Sequence, residues 1–166
     1  LQITDAAGGN AGTLSDWSLS FMGNAQSAND TYIYTNDYGN FSGAELTSRA
    51  TLTDASGTDA INLAAVTSNT TLNMNAGTAS TVAGKTLNIA AGTVIENAYL
   101  GDGNDTVTGN GTDNVIYGGR GSDTLDGGAG SDTAGYFDAI TNYVFNFISS
   151  VTVEIATAVG TLWTDI

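Results

Sequence analysis

Apolar residues recur at intervals of nine in the most regular stretch of the chain, residues 100–135. Val107, Ile116, Leu125 and Ala134 each occupy the middle of a three-residue segment, and polar, glycine-rich segments of six residues separate these segments. Because side chains alternate along a strand, the middle residue points to one face and its neighbours to the other. The spacing predicts a coil of eighteen residues with two strands and two turns. In this coil Val107 stacks over Leu125, and Ile116 stacks over Ala134.

The six polar positions between the strands suit tight turns. Residues 118–126 read GGRGSDTLD and resemble the nonapeptide repeat of calcium-binding RTX proteins, G-G-x-G-x-D-x-U-x. Glycine adopts backbone angles that are closed to other residues, so such a turn can bring its carbonyl oxygens together. The second copy, residues 109–117, departs most from the repeat, since Asn110 and Thr112 replace glycines and Asn114 replaces aspartate.

Turns on the same side of the coil recur after eighteen residues, as do Asp105 and Asp123, and Asn114 and Asp132. Each pair is expected to bracket a gap that is lined by carbonyl and carboxylate oxygens. Calcium takes about six to eight oxygen ligands in a flexible arrangement, so several calcium ions are predicted between the coils. The predicted ligands are Asp105, Asn114, Asp123 and Asp132, with the turn residues Leu100, Asp102, Gly109, Gly111, Gly119, Gly121, Gly128 and Gly130.

The charge of the chain supports a cation as partner. Seventeen acidic residues face three basic ones and no histidine, a net charge of -14. This charge argues against nucleic acid or an anionic membrane as a partner. Residues 101–138 hold seven aspartates and a single base, Arg120. Without a cation this segment should repel itself and stay largely disordered, so folding and calcium binding are expected to be one event.

Composition also excludes several kinds of chemistry. The chain has no cysteine and no histidine, which excludes disulfides, a thiolate site, a histidine-ligated zinc site and a Ser-His-Asp triad. Aspartate pairs can act as acid and base, but Asp102 with Asp105, and Asp123 with Asp126, lie in or beside glycine-rich turns, where calcium binding or solvent exposure is favoured. No apolar run reaches the roughly 18 residues of a membrane span. We therefore expect a chain without catalytic residues.

Residues 1–24 read as two half-buried strands around a glycine-rich turn. The phrase LQITDAAGGNAGTLSDWSLSF alternates apolar and polar residues at Leu1 and Ile3 and again from Trp17 to Phe21. It resembles the end of the P domain, the β-sandwich that follows the catalytic domain of proprotein convertases and many bacterial subtilisin-like proteases. An ordinary hairpin with a glycine turn is the alternative.

Aromatic residues mark the next stretch, where strands are expected at 31–34, at 40–41 and at 50–53. Tyr32, Tyr34 and Tyr38 lie close together in the sequence. They suit either stacking on a sugar or a base, or packing of the first coil of the solenoid. The second interpretation is favoured.

Residues 54–105, DASGTDAINLAAVTSNTTLNMNAGTASTVAGKTLNIAAGTVIENAYLGDGND, are similar along their length to the C-terminal domain of serralysin-type secreted metalloproteases. The resemblance extends to residue 135 and implies two further calcium sites outside the repeat. One would use Asp54, the Ser56 carbonyl and Asp59 near Asn29 and Thr31. The other would use Gly57, Asp59, the Val94 carbonyl and Glu96.

After residue 135 the repeat stops, and segments around 143–147, 151–155 and 161–166 alternate like strands that cap the solenoid. The predicted fold is all-β: a parallel β-roll, which is a calcium-stabilised β-solenoid, with flanking strands from a β-sandwich-like N-terminal piece and a C-terminal β cap. The expected domains are 1–24, 25–135 and 136–166.

These features predict a non-catalytic, calcium-binding module in the C-terminal part of a secreted bacterial protease that is exported by type I secretion machinery. The chain opens in mid-strand without Met, so it is expected to be a fragment whose catalytic domain lies upstream. The P-domain resemblance points to a serine protease and the β-roll to a metalloprotease, and the residues leave both open. The alternative function is a calcium-dependent surface-layer, filament or adhesion protein that self-associates. Both functions place the chain outside the cell or at the bacterial cell surface.

Overall fold

The computed structural model describes residues 28–135, together with the backbone of three later strands. The predicted hairpin at residues 1–24, with its P-domain resemblance, lies outside the described residues. Most of the described chain consists of short strands. Their bounds are β1 Thr31–Thr35, β2 Thr51–Leu52, β3 Ala60–Ala65, β4 Thr71–Asn73, β5 Ala79–Val82, β6 Lys85–Ile89, β7 Asn97–Tyr99, β8 Thr106–Thr108, β9 Val115–Tyr117, β10 Thr124–Asp126, β11 Thr133–Gly135, β12 Tyr143–Phe147, β13 Val153–Thr157 and β14 Leu162–Asp165.

The strands form two sheets. Sheet A has the order β1-β3-β7-β9-β11, and every neighbouring pair in it is parallel. Sheet B has the order β12-β13-β14-β10-β8-β4-β5-β6-β2, with parallel pairing among β4, β8 and β10. From β7 to β11 the chain alternates between the sheets at every strand, as a β-roll requires. The all-β parallel β-roll predicted from the sequence is the fold of this chain.

The register of the repeat is the predicted one. Val107 lies beside Leu125 in sheet B, and Ile116 lies beside Ala134 in sheet A. Val107, Ile116 and Leu125 are buried between the sheets. One inward apolar side chain from each strand therefore makes the core of the repeat.

The core of the repeat is continuous with a larger one upstream. Its members are mostly aliphatic side chains, and most of them lie before the repeat in the sequence. Burial of each such side chain contributes about 1.5–3 kcal/mol, so the upstream coils supply most of the apolar stabilisation. The largest fully buried members are Ile61, Leu63, Val66, Leu72, Met74, Val82, Leu87, Ile89, Ile95, Leu100 and Val107.

A hairpin interrupts the coil before the repeat begins. Strands β5 and β6 pair antiparallel, and the turn between them places Ala83 and Gly84 at positive φ, 47° and 74°. Two consecutive residues at positive φ make the two-residue turn that matches the twist of a β-hairpin. The insertion explains why Thr71 pairs with Thr106, a much longer separation than the eighteen residues of the repeat.

The prediction of a strand at 40–41 is wrong. Residues Asn36–Asn40 form a 3-10 helix, and an α-helix, α1, spans Gly43–Arg49. The Thr35 hydroxyl accepts the Asp37 N–H and caps the first of these helices. In α1 the sequence Ala-Glu-Leu favours helix, and Glu45 pairs with Arg49 one turn later.

The tyrosines near β1 pack the first coil, as predicted. Tyr38 is buried, and its hydroxyl donates to the Thr86 carbonyl at 2.6 Å. Tyr34 meets Tyr38 edge to face at 5.2 Å. Burial raises the pKa of Tyr34 to about 12. Their rings close the end of the solenoid core.

The three late strands extend sheet B. Strands β12, β13 and β14 pair antiparallel in sequence, and β14 continues the sheet by pairing parallel with β10. Thr164 lies beside Thr124, and Asp165 lies beside Leu125. The edge of β10 is therefore covered, as expected of a cap.

Candidate metal centre

A single acidic or amide residue stands immediately before most strands of the solenoid, and its position brings it next to its counterpart in the next coil. On one side of the roll, the Thr70 N–H donates to Asp105 Oδ1 at 2.6 Å, and the Asp105 N–H donates to Asp123 Oδ1 at 2.9 Å. Each carboxylate therefore reaches back to the preceding turn. The predicted pairing of Asp105 with Asp123 is present.

The opposite side has the same arrangement. The Asp30 N–H donates to Asp59 Oδ1 at 2.7 Å, and the Asp59 N–H donates to Glu96 Oε2 at 2.7 Å. Farther along, the Asn114 N–H donates to Asp132 Oδ1 at 2.9 Å. The predicted pairing of Asn114 with Asp132 is present as well.

Asp105 has the environment that a cation site requires. It is 1% exposed, and its Oδ2 has no hydrogen-bond partner among the described residues. Burial raises the pKa of Asp105 to about 6; the Thr70 N–H lowers it and the charge of Asp102 raises it further. A buried carboxylate oxygen without a donor is costly unless a cation faces it. The donor set fits calcium, which takes oxygen ligands.

Carbonyl oxygens of the turn at 100–105 face the turn at 118–123. A side chain at Gly119 would collide with the Gly101 carbonyl oxygen, and one at Gly121 with that of Gly103. Both glycines have positive φ, 89° and 122°. A side chain at Gly118 would collide with Asp123 Oδ2. The glycines thus leave a narrow space that is lined with oxygen atoms.

The turns at 109–114 and 127–132 approach each other in the same way. Gly128 lies against the carbonyl oxygen of Asn110, and Gly130 lies against that of Thr112. A side chain at Gly127 would collide with Asp132 Oδ2. The degenerate second repeat therefore still presents its carbonyl oxygens to the next coil.

Asn114 differs from Asp105 because both polar atoms of its side chain have hydrogen-bond partners. It is 0% exposed, and its Nδ2 donates to the Glu96 carbonyl and to Asn110 Oδ1, each at 3.2 Å. Its Oδ1 accepts the Asn110 N–H at 2.9 Å, and Asn110 Nδ2 donates to the Ile95 carbonyl at 2.8 Å. Neutral amides therefore join this turn to the one before it.

Three carboxylates meet at the start of the solenoid. Asp30, Asp54 and Asp59 each offer one oxygen, and these oxygens lie within 4.8 Å of one another. Asp54 accepts hydrogen bonds from the Tyr32 hydroxyl and from the Ser56 N–H. The Tyr32 bond, followed by that of Ser56, lowers the pKa of Asp54. Burial, then the bond to Asp54, raises the pKa of Tyr32.

The remaining predicted ligands of the upstream sites differ in how closely they approach this cluster. Gly57, with φ 144°, lies against the Ala28 carbonyl and close to Asp59 Oδ1. Asn29 Oδ1 accepts the Thr58 N–H at 2.9 Å. Thr31 begins β1. Val94 is 43% exposed, and because its side chain contains no oxygen, only its backbone carbonyl could contribute.

Asp102 and Arg120 lie at the outer edge of the repeat. The two residues form an isolated parallel bridge between turns, and Arg120 Nη1 lies 3.7 Å from Asp102 Oδ1. Both side chains are well exposed to solvent. This carboxylate is thereby directed to the guanidinium. Gly111 is exposed, and a side chain there would meet no described atom within 4 Å.

Asp30 is the member of the cluster that the sequence analysis did not select. The spacing between successive coils is 29 residues for Asp30 and Asp59 and 37 for Asp59 and Glu96, against 18 in the repeat. No fixed period could connect them. The usable signal was local: Asp30 directly precedes a strand, as Asp59, Asp105 and Asp123 do.

Comparison with known proteins identifies the family. The family described as peptidase M10 serralysin C terminal matches residues 24–144. No curated protein matches the chain significantly. Among the described residues, no helix is long and apolar enough to cross a membrane. The match covers most of the chain, including the roll, the carboxylates of the repeat and the cluster of Asp30, Asp54 and Asp59. The chain therefore belongs to the peptidase M10 serralysin C-terminal family.

Proposed function

We propose that this chain is a non-catalytic, calcium-binding module in the C-terminal part of a secreted bacterial metalloprotease, and that it folds when calcium binds. The observation that carries the proposal is Asp105: its carboxylate is buried, one of its oxygens has no partner in the part of the chain that the structure describes, and it lies between turns that present their carbonyl oxygens. Membership of the serralysin C-terminal family supports the attachment to a secreted protease.

The residues that would hold calcium fall into three groups. In the first, Asp105 and Asp123 act with carbonyl oxygens of the turn at 100–105. In the second, Asp132 acts with the carbonyl oxygens of Asn110 and Thr112. The third is the cluster of Asp30, Asp54 and Asp59. A bound calcium ion supplies positive charge that offsets the burial of these carboxylates.

Each coil is held to the next by the carboxylates themselves. Asp105 accepts from Thr70 behind it, while its own N–H donates to Asp123 ahead. Without a cation the negative charge of these buried carboxylates weakens this ladder of hydrogen bonds, because the low-dielectric interior disfavours the ionised form. The ladder is therefore complete only when the charge is offset, which couples folding to the ion.

This coupling suits export. At low cytosolic calcium an acidic chain of net charge -14 stays extended, as passage through a type I secretion channel requires. Weak extracellular calcium modules bind at about 10⁻⁴–10⁻³ M, so the chain would fold once it reaches the outside. The folded module then stabilises the protease to which it is attached.

A calcium titration tests the proposal. The 166-residue chain in chelator should show the circular dichroism of a disordered chain, and addition of calcium should convert it to β structure. Magnesium at the same concentration serves as the control, since its strict octahedral preference fits these irregular oxygen sets poorly. Asp123→Ala should remove one ion from the stoichiometry and require more calcium for folding. A chain that is fully folded in chelator would contradict the coupling.

A further inference from the structure

Sheet A carries no charge on any of its strands. None of the residues of β1, β3, β7, β9 and β11 is Asp, Glu, Lys or Arg, although the net charge of the chain is -14. Acidic residues stand before strands of both sheets, in the turns at the two sides of the roll, as Asp59 and Asp105 do. The outer face of sheet A is thus a neutral strip between two acidic borders.

One row of side chains crosses this face from end to end. The register pairs Ile33 with Asn62, Asn62 with Tyr99, Tyr99 with Tyr117, and Tyr117 with Gly135. Ile33 is 68% exposed. Adjacent strands lie about 4.8 Å apart, so the row is about 19 Å long. We refer to these five positions as the sheet A row.

The aromatic part of the row is ordered by packing. The rings of Tyr99 and Tyr117 stack with centroids 5.2 Å apart and planes 18° apart. Gly135 leaves the space that the Tyr117 ring occupies, because a side chain there would collide with the ring. Two stacked rings beside a glycine form a shallow step at one end of the row.

A pocket of about 180 Å³ continues the row at its other end. Ile33 belongs to both, and the pocket walls are the rings of Tyr34, Tyr38 and Phe41. Asp37 and Arg49 also line it, and the Arg49 guanidinium lies 4.7 Å above the Phe41 ring. The pocket offers apolar walls with both donors and acceptors, the combination typical of small-molecule sites.

We propose that the sheet A row and this pocket bind a neutral polysaccharide chain. A pyranose presents an apolar C–H face and a rim of hydroxyls, which match the tyrosine rings and the amide of Asn62. A β-linked sugar unit is about as long as the strand spacing of about 4.8 Å, so successive units can meet successive strands. The strands of sheet A offer no charged side chain to pair with a charged polymer, which leaves an uncharged chain as the complementary partner.

Affinity electrophoresis of the calcium-loaded 166-residue chain tests the proposal. Native gels that contain hydroxyethyl cellulose or galactomannan should retard the chain, and a gel with anionic alginate should not. The double variant Tyr99→Ala/Tyr117→Ala should bind about tenfold or more weakly, since it removes both rings. The matched control, Thr106→Ala/Thr124→Ala, changes a row on the outer face of sheet B and should be retarded like the parent chain.

A second variant keeps the test independent of the stability of the tyrosine double variant. Ile33→Glu changes an exposed side chain and places a carboxylate in the row, so it should reduce retardation while calcium stoichiometry and circular dichroism stay unchanged. Calcium stoichiometry is measured separately, so failure here leaves the calcium proposal untouched. The proposal is overturned if neither neutral polymer retards the parent chain, or if the tyrosine variant is retarded equally. It is also overturned if sedimentation shows a tyrosine-dependent dimer without retardation, which would assign the face to contact between copies.

Discussion

Replacing Asp105 by Asn should make the calcium-free chain fold more readily at the cost of one calcium site. Asn keeps the oxygen that accepts the Thr70 N–H at 2.6 Å, but it carries no charge. Asn114 shows that a buried amide at the equivalent place of a coil can donate to the carbonyl of the preceding turn. The substitution therefore removes a desolvation penalty without removing the ladder.

The magnitude follows from the pKa of Asp105. Its folded value of about 6 lies about two pH units above the ordinary value of 3.8. Because the folded pKa is raised, ionisation of this carboxylate destabilises the metal-free fold. The penalty is absent below about pH 4, grows between about pH 4 and 6, and is complete above the folded pKa of about 6. At pH 7 the penalty is about 3 kcal/mol, and at pH 5 it is about half as large. Asp105→Asn should gain up to this amount without calcium.

Urea unfolding followed by circular dichroism measures the effect, with calcium removed by a chelating resin. An osmolyte, added at the same concentration to both chains, stabilises the folded state enough for the unfolding of the parent chain to be measured. At pH 7 Asp105→Asn should unfold at higher urea than the parent chain, and the difference should shrink at pH 5. With saturating calcium the order should reverse, and calcium stoichiometry should fall by one. The reasoning is refuted if the variant is less stable than the parent without calcium, or if its advantage is the same at pH 5 as at pH 7.

One further prediction concerns the glycines of the turns, and another concerns the upstream carboxylate cluster. Gly121→Ala should cost more than about 3 kcal/mol of calcium-bound stability, because its side chain would collide with the Gly103 carbonyl oxygen; Gly92→Ala, with φ 86° and open space around it, should cost only about 1 kcal/mol. Thermal unfolding in calcium distinguishes them, and equal losses would show that the turns do not stack closely. Asp30→Asn should weaken calcium binding by the upstream cluster and leave the repeat sites intact, as measured by isothermal titration; unchanged binding would remove Asp30 from the ligand set.

Much of the roll could be predicted because its repeat is local. One inward side chain and one aspartate in every nine residues determine which strands stack, so Leu125 next to Val107 and Asp123 next to Asp105 follow from counting. The same regularity makes the sheet order of the repeat independent of distant contacts. Helix α1 was not predicted, because a short helix between strands depends on packing of its apolar side against the existing core.

Before residue 100 the fixed spacing of the repeat no longer predicts which residues meet in neighbouring coils. The 3-10 helix and α1 enlarge the coil between Asp30 and Asp59, and the hairpin of β5 and β6 enlarges the coil between Asp59 and Glu96. The resulting separations of 29 and 37 residues have no common period. Family resemblance supplied Asp59 and Glu96, but only the fold brought Asp30 into contact with Asp59. The local signal, an acid directly before a strand, is too common in sequences to select one residue.

The sequence by itself determined the β-roll, its calcium-type turns and the absence of catalytic histidine, because each depends on residue type and short spacing. Only the tertiary structure decided which charges are offset and which are not. Among the described residues it left one Asp105 oxygen without a partner, and it gave the Asn114 side-chain amide a hydrogen bond to the Glu96 carbonyl. It also aligned Asn62, Tyr99 and Tyr117 in one row. These outcomes depend on burial and on register between strands far apart in the chain, and neither quantity exists before the coils have stacked.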